Sequence, residues 1–108
     1  MATWTVPFLV ERVVDGDTLA GILDLGWGVY KRDHVRLARV DAPEIGSEEG
    51  KRAREALASF LAPLPATVTL TSTRLDKYGR ALGELVTADG ANLSDWLLEH
   101  GFAVHYRG

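Results

Sequence analysis

The sequence predicts a mainly β fold, a small closed five-stranded barrel with one helix between the third and fourth strands and a second helix after the fifth. Three observations carry that expectation. The chain has 108 residues, which suits one domain over 1–108. Its first forty residues are rich in β-branched and apolar stretches punctuated by Asp-Gly and Gly-rich bends, whereas helical periodicity shows in only two places. It also has no cysteine, so its core must hold without disulfides or a thiolate metal site, and thiol nucleophiles are excluded.

In chain order, Val6–Val14 is apolar and β-branched and runs into the turn Asp15-Gly16-Asp17, after which Thr18–Leu25 resumes strand character. The two read as a hairpin. Gly26-Trp27-Gly28 makes a bend, and Val29–Val40 forms the third strand, with Val35, Leu37 and Val40 opposite Arg36 and Arg39. A helix follows, capped by Ser47, with Glu48 and Glu49 favourably placed in its first turn, and Pro63 ends it. Ala53, Ala56, Leu57, Phe60 and Leu61 make its apolar stripe. Thr67–Ser72 and Ala81–Thr87 are the fourth and fifth strands. After the Asp89-Gly90 turn, Asn92 or Ser94 caps a helix whose Leu93, Trp96 and Leu97 share a face, and Gly101 ends it. Phe102-Ala103-Val104 forms an apolar tail. This order is that of an oligonucleotide/oligosaccharide-binding (OB) barrel.

Charge sets a boundary on function. Fifteen acidic residues against 12 basic give a net charge of −3, which argues against gripping nucleic acid through a broad basic surface. No stretch is long and apolar enough for a membrane helix, and the N-terminus lacks the pattern of a signal peptide, so the expectation is an intracellular protein with no membrane contact unless a leader has been removed.

The chemistry-bearing residues concentrate in the first half. Asp15 and Asp17 sit in the hairpin turn, Asp41 and Glu44 follow the third strand, and Asp33 is near them in sequence. Each alone reads equally as turn chemistry or a strand exit. Brought together, such carboxylates repel and require a cation or hydrogen-bond donors, and an all-oxygen set suits a hard cation. His34, His100 and His105 are scattered without zinc-ligand spacing. Arg36 lies on the strand leading to Asp41, and Arg80 follows the turn Asp76-Lys77-Tyr78-Gly79. Guanidinium forks match phosphate oxygens, although surface ion pairing accounts for both arginines as well.

Three blocks then stand out: Val13-Val14-Asp15-Gly16-Asp17-Thr18-Leu19, Val35 to Glu44 (VRLARVDAPE), and Asp76 to Gly83 (DKYGRALG). In this order they resemble the signature blocks of the thermonuclease, or staphylococcal-nuclease-like, family, and Asn92–Phe102 resembles the helix after its barrel. The resemblance implies an OB barrel and Ca²⁺-dependent cleavage of DNA and RNA, single strands favoured, leaving 3′-phosphate ends. It implies Asp17, Asp41 and the Ala42 carbonyl as Ca²⁺ ligands, Glu44 as general base or water-positioner, and Arg36 and Arg80 on the scissile phosphate. Asp15 would order the ligands and waters, and Lys77 and Tyr78 would contact substrate. Tyr106 corresponds either to a base-stacking aromatic of the family or to a packing residue. Ala42 stands where some members carry Thr, and Ile45-Gly46-Ser47 is shorter than the loop of some relatives. The alternative is a catalytically weak OB barrel that binds nucleic acid or protein. No other protein partner is evident in the sequence.

Overall fold

The computed structural model describes residues 3–75 and 79–106. Five strands close into a barrel: β1 (Trp4–Asp15), β2 (Thr18–Gly26), β3 (Val29–Leu37), β5 (Ala66–Leu75) and β6 (Ala81–Val86), arranged β1-β2-β3-β6-β5. Four of the five seams are antiparallel, and β3 runs parallel to β6 through Val35↔Ala81, Arg36↔Leu82 and Leu37↔Gly83. Helix α1 (Glu48–Leu61) lies between β3 and β5 in sequence, and α2 (Leu93–Glu99) follows β6. The expected barrel with its two helices is therefore present.

Side-chain alternation explains the closure. Phe8 and Val10 from β1, Leu19 and Leu23 from β2, Val35 and Leu37 from β3, Val68 and Leu70 from β5, and Leu85 from β6 all point inward and are buried. Ala53, Leu57 and Leu61 present the buried stripe of α1, and Leu93 and Leu97 that of α2. Phe60, expected in the same stripe, lies at its edge and stacks on Trp96 at 4.5 Å between centroids. No helix among the described residues is long and apolar enough to cross a membrane.

The third predicted strand differs from expectation. It stops at Leu37, the chain turns at Ala38-Arg39 with Arg39 in the left-handed region (φ 71°), and Val40–Asp41 becomes a separate short strand, β4. Val40 is buried like Val35 and Leu37, but it lies three positions from Leu37 rather than the two that same-face alternation requires, so one residue must leave the pleat. β4 pairs with β7 (Val104–His105) from the apolar tail, through Val40↔His105 and Asp41↔Val104.

Both helix caps have side-chain partners. Ser47 accepts from the Gly50 N–H at 3.0 Å. Asn92, not Ser94, caps α2 by accepting from the Asp95 N–H at 3.1 Å; Ser94 is buried and donates to the Ala38 carbonyl at 2.8 Å.

Two glycines beside the loop after β4, Gly16 and Gly50, are required by close approach rather than by turn freedom. A Cβ on Gly16 would stand 2.7 Å from the Ala42 Cβ and 2.8 Å from the Ala53 Cβ, so the β1–β2 turn rests directly on the loop after β4 and on α1. A Cβ on Gly50 would stand 1.8 Å from the Glu44 carbonyl oxygen. Alanine ordinarily favours a helix by about 1 kcal/mol over glycine. Here Gly50→Ala is expected to destabilise by about 1–3 kcal/mol through overpacking, read as a lower urea midpoint. A raised midpoint would show that α1 is not seated on the Glu44 backbone.

Candidate active site

The site forms where the β1–β2 turn meets the loop that follows β4. Asp15 and Asp17 come from the turn. The Asp15 Oδ1 accepts the Asp17 N–H at 3.0 Å, the Asx-type contact that lets such residues shape tight turns. Asp17 is buried, with its two oxygens divided between neighbours: Oδ1 accepts from the Thr18 hydroxyl at 3.2 Å and Oδ2 from the Ala42 N–H at 2.8 Å. The register Thr18↔Arg36 brings β3's arginine to the same place.

Arg36 binds both sides of this junction. Its Nη1 donates to the carbonyls of Leu37 at 2.6 Å and Val40 at 2.8 Å, so the guanidinium fastens the turn between β3 and β4. Its Nη2 stands 3.5 Å from an Asp17 oxygen and 3.4 Å from an Asp41 oxygen. Two carboxylates thus converge on one cationic point. The guanidinium carbon also lies 5.8 Å from the centroid of the Tyr106 ring, a cation–π distance that holds the aromatic over the site.

The electrostatics follow from burial. Desolvation pushes the Asp17 carboxyl up to about 6, and the adjacent Asp15 adds to that rise against the Ala42 N–H and Arg36, which lower it. Burial also acts to raise Asp15, but its hydrogen bonds with Asp17 and Thr18 outweigh this and hold it below the usual carboxylate range. Arg36 thus faces both Asp17 and Asp41, with Asp15 alongside Asp17.

The remaining expected site residues are placed as follows. Arg80 immediately precedes Ala81, which is in register with Val35, so it stands at the entry to the β3–β6 seam, two positions from the Leu82↔Arg36 pair. Glu44 has an exposed side chain, and its backbone carbonyl accepts from both the N–H and hydroxyl of Ser47, at 3.0 and 2.7 Å. Asp33 does not join the cluster: it pairs with Lys31 at 3.1 Å and has the strand parity opposite to Arg36. Lys77 and Tyr78 lie outside the described residues.

Among the described residues no group of three or more His, Asp or Glu side chains comes together. The convergent set is two carboxylates, with the Ala42 peptide beside them. Such a set fits a hard cation whose other positions are completed by water and substrate oxygens.

Arg39 is a site-shaping residue that the sequence reading missed. Its guanidinium takes a fork on Glu84 at 2.9 and 2.7 Å, and also reaches Asp95 at 2.9 Å and Asn92 at 3.3 Å. Its carbonyl accepts the Tyr106 N–H at 2.8 Å. The residue thereby ties the left-handed turn between Arg36 and Asp41 to β6, to α2 and to the β7 segment. The available signal was the three-residue step from Leu37 to Val40.

Fold and site together define a small β-barrel with an acidic, arginine-bearing junction at the end of a hairpin. The chain belongs to the family described as staphylococcal nuclease homologues, whose model matches residues 34–108. It is 35% identical over 97 residues to a protein named an uncharacterized endonuclease from Escherichia coli O157:H7, covering 90% of this chain and 59% of that protein. It is 36% identical over 110 residues to Endonuclease YhcR of Bacillus subtilis, covering 91% of this chain and 9% of the relative. A third relative, named micrococcal nuclease, from Shigella flexneri, is 32% identical over 106 residues, covering 91% and 57%. The chain thus spans about three-fifths or less of these proteins' lengths.

The Arg39 fork gives a pH prediction. Hydrogen bonds from Arg39, opposed by partial burial and helped by Asn92, hold the Glu84 carboxyl below its usual range. A depressed carboxylate stabilises above its unfolded pKa, and that stability is lost as pH falls through the folded value. The wild-type chain should therefore exceed Glu84→Gln in stability by about 0.5–1 kcal/mol between pH 5 and 7. The gap should close below about pH 4. A gap that grows on acidification would contradict this arrangement.

Proposed function

We propose that the chain is a Ca²⁺-dependent nuclease that hydrolyses phosphodiester bonds of DNA or RNA and leaves 3′-phosphate ends. The observation that carries this reading is the convergence of Asp17 and Asp41 on the Arg36 guanidinium, with Arg80 entering along the neighbouring strand. The names of the relatives support the nuclease part of this reading.

In this reading Asp17, Asp41 and the Ala42 carbonyl hold Ca²⁺. When bound, the ion supplies charge neutralisation at the phosphate and a coordination site for water. Arg36 and Arg80 bind the non-bridging phosphate oxygens, and their charge matters most when a fifth oxygen approaches phosphorus and negative charge accumulates. Arg36 is suited to this because its Nη1 is fixed by two carbonyls and does not need to be ordered on binding. Glu44, on an exposed loop pinned through its backbone to Ser47, accepts the proton of the attacking water. Asp15 keeps the turn that presents Asp17 in place. Lys77 and Tyr78 contact the substrate.

The test is cleavage of single-stranded DNA and RNA with Ca²⁺, with and without EDTA, followed by identification of the product ends. EDTA should abolish cleavage, and 3′-phosphates should appear. Undiminished cutting in EDTA would overturn the Ca²⁺ assignment, and binding without cutting would favour the weak OB-barrel alternative. Arg36→Lys should lose about 10²–10³ in turnover, because one ammonium cannot serve two carbonyls and a phosphate fork. Glu44→Gln should lose about 10²–10⁴ in turnover with little change in Ca²⁺ affinity. The reverse pattern would make Glu44 a metal ligand.

A further inference from the structure

At the end opposite Arg36, β3 leaves the barrel. β6 pairs only with Val35–Leu37 of β3, and β1 pairs with β2 only as far as Leu23. Asp24–Gly26 and Val29–Tyr30 therefore form a two-stranded ribbon among the described residues. At its tip Gly26, Trp27 and Gly28 are all left-handed, with φ of 83, 59 and 74°. Two of these positions are glycine, but Trp27 adopts a conformation that L-residues avoid, and its indole is wholly exposed. The turn is not slack: the Asp24 Oδ1 accepts the Gly26 N–H at 3.0 Å, and Gly26 pairs with Val29. The ribbon thus displays a large aromatic on an ordered turn, and none of the described residues covers it.

Strand parity joins Tyr30, three residues after Trp27, to the candidate site. Val35 and Leu37 point into the barrel, so Tyr30, Arg32, His34 and Arg36 share its outer face. Tyr30 is 65% exposed. The column runs from a stacking platform, through alternating aromatic and nitrogen-bearing side chains, to the arginine placed on the phosphate. Aromatic faces interleaved with Arg are the usual equipment for single-stranded nucleic acid, because every base has a face on which to stack. A narrow ribbon tip offers much less area than the ~800 Å² per partner of a stable protein–protein interface. Arg32 is ion-paired with Glu11 of β1, so this column works by stacking more than by net charge.

We propose that the outer face of the β2–β3 ribbon is a second contact for single-stranded nucleic acid, in which Trp27 stacks on a base well outside the cleavage site and Tyr30 supports the intervening strand. Val29 and Arg36 are about 24 Å apart along β3. A strand at a stacked spacing of about 3.4 Å crosses that distance in about seven nucleotides. The inference rests on the nuclease reading, since it takes Arg36 as the other end of the track. It predicts that affinity rises with oligonucleotide length until Trp27 is reached.

The experiment measures fluorescence anisotropy of labelled single-stranded DNA of 4 and 16 nucleotides in EDTA, where binding is separated from cutting, with the wild-type chain, Trp27→Ala and Trp27→Phe. The wild type should bind the 16-mer about tenfold more tightly than the 4-mer, Trp27→Ala should remove most of that gain, and Trp27→Phe should keep most of it. Equal length dependence in the wild type and Trp27→Ala overturns the proposal, as does a change of oligomeric state in Trp27→Ala, which would make the tip a protein contact. Cleavage of the 4-mer by the wild-type chain with Ca²⁺ reports on the nuclease reading by itself. If the 4-mer is cut while the length effect is missing, the track alone fails. If nothing is bound or cut, both fail.

Discussion

The Asp17 carboxylate is the joint on which the site depends. It is buried at the turn between two barrel strands, and a buried carboxylate without partners would cost more than a small domain can offset. Its partners fix the surrounding chain. Thr18 holds one oxygen, the Ala42 N–H holds the other, and Arg36 stands 3.5 Å away. Because Ala42 follows Asp41 directly, the same bond that satisfies Asp17 also places Asp41 beside Arg36. The turn and the loop can approach this closely only because residue 16 has no side chain to separate them.

This arrangement is organised for function rather than for stability. Replacing a buried ionic cluster with apolar residues is often neutral or stabilising, so its presence does not explain why the barrel folds. The apolar interior of Phe8, Leu19, Leu37, Leu57 and Leu85 does that. Asp17 and Asp41 share the Arg36 guanidinium, and burial already makes Asp17 a weaker acid than usual. An added cation would relieve both conditions. Arg39 has the complementary task on the other side of the loop. It occupies a left-handed conformation that disfavours side chains, and its contacts with Glu84, Asp95 and Asn92 offset that cost while locking the chain between Arg36 and Asp41.

What could be read in the sequence was whatever depended on local periodicity. Alternation in β1, β2, β5 and β6, the Ser47 cap and the apolar stripe of α1 all follow from residues a few positions apart, and the barrel with its helices follows from their order. The features that were not legible depend on partners distant in the chain. Gly16 reads as an ordinary Asp-Gly turn residue, yet its neighbours are Ala42 and Ala53. Gly50 reads as a poor helix former, yet it seats α1 on Glu44. The break at Arg39 was hidden because the usual left-handed residue is glycine, and β7 is only two residues long. Asp33 shows the opposite error: it is near the cluster in sequence, but parity along β3 assigns it to the other face. Among the acidic and arginine residues singled out, Asp15 contacts Asp17, Asp17 and Asp41 each reach Arg36, and Arg80 lies at the adjoining seam.

In the proposed function, Asp17 and Asp41 form one cation-binding unit organised around Arg36. Calorimetric titration of the chain with Ca²⁺ in the absence of nucleic acid tests it most directly, alongside Asp17→Asn, which keeps an oxygen for the Ala42 N–H but removes the charge. The account predicts one ion bound per chain and its loss in Asp17→Asn with the fold intact. Undiminished Ca²⁺ binding by a folded Asp17→Asn chain would contradict it.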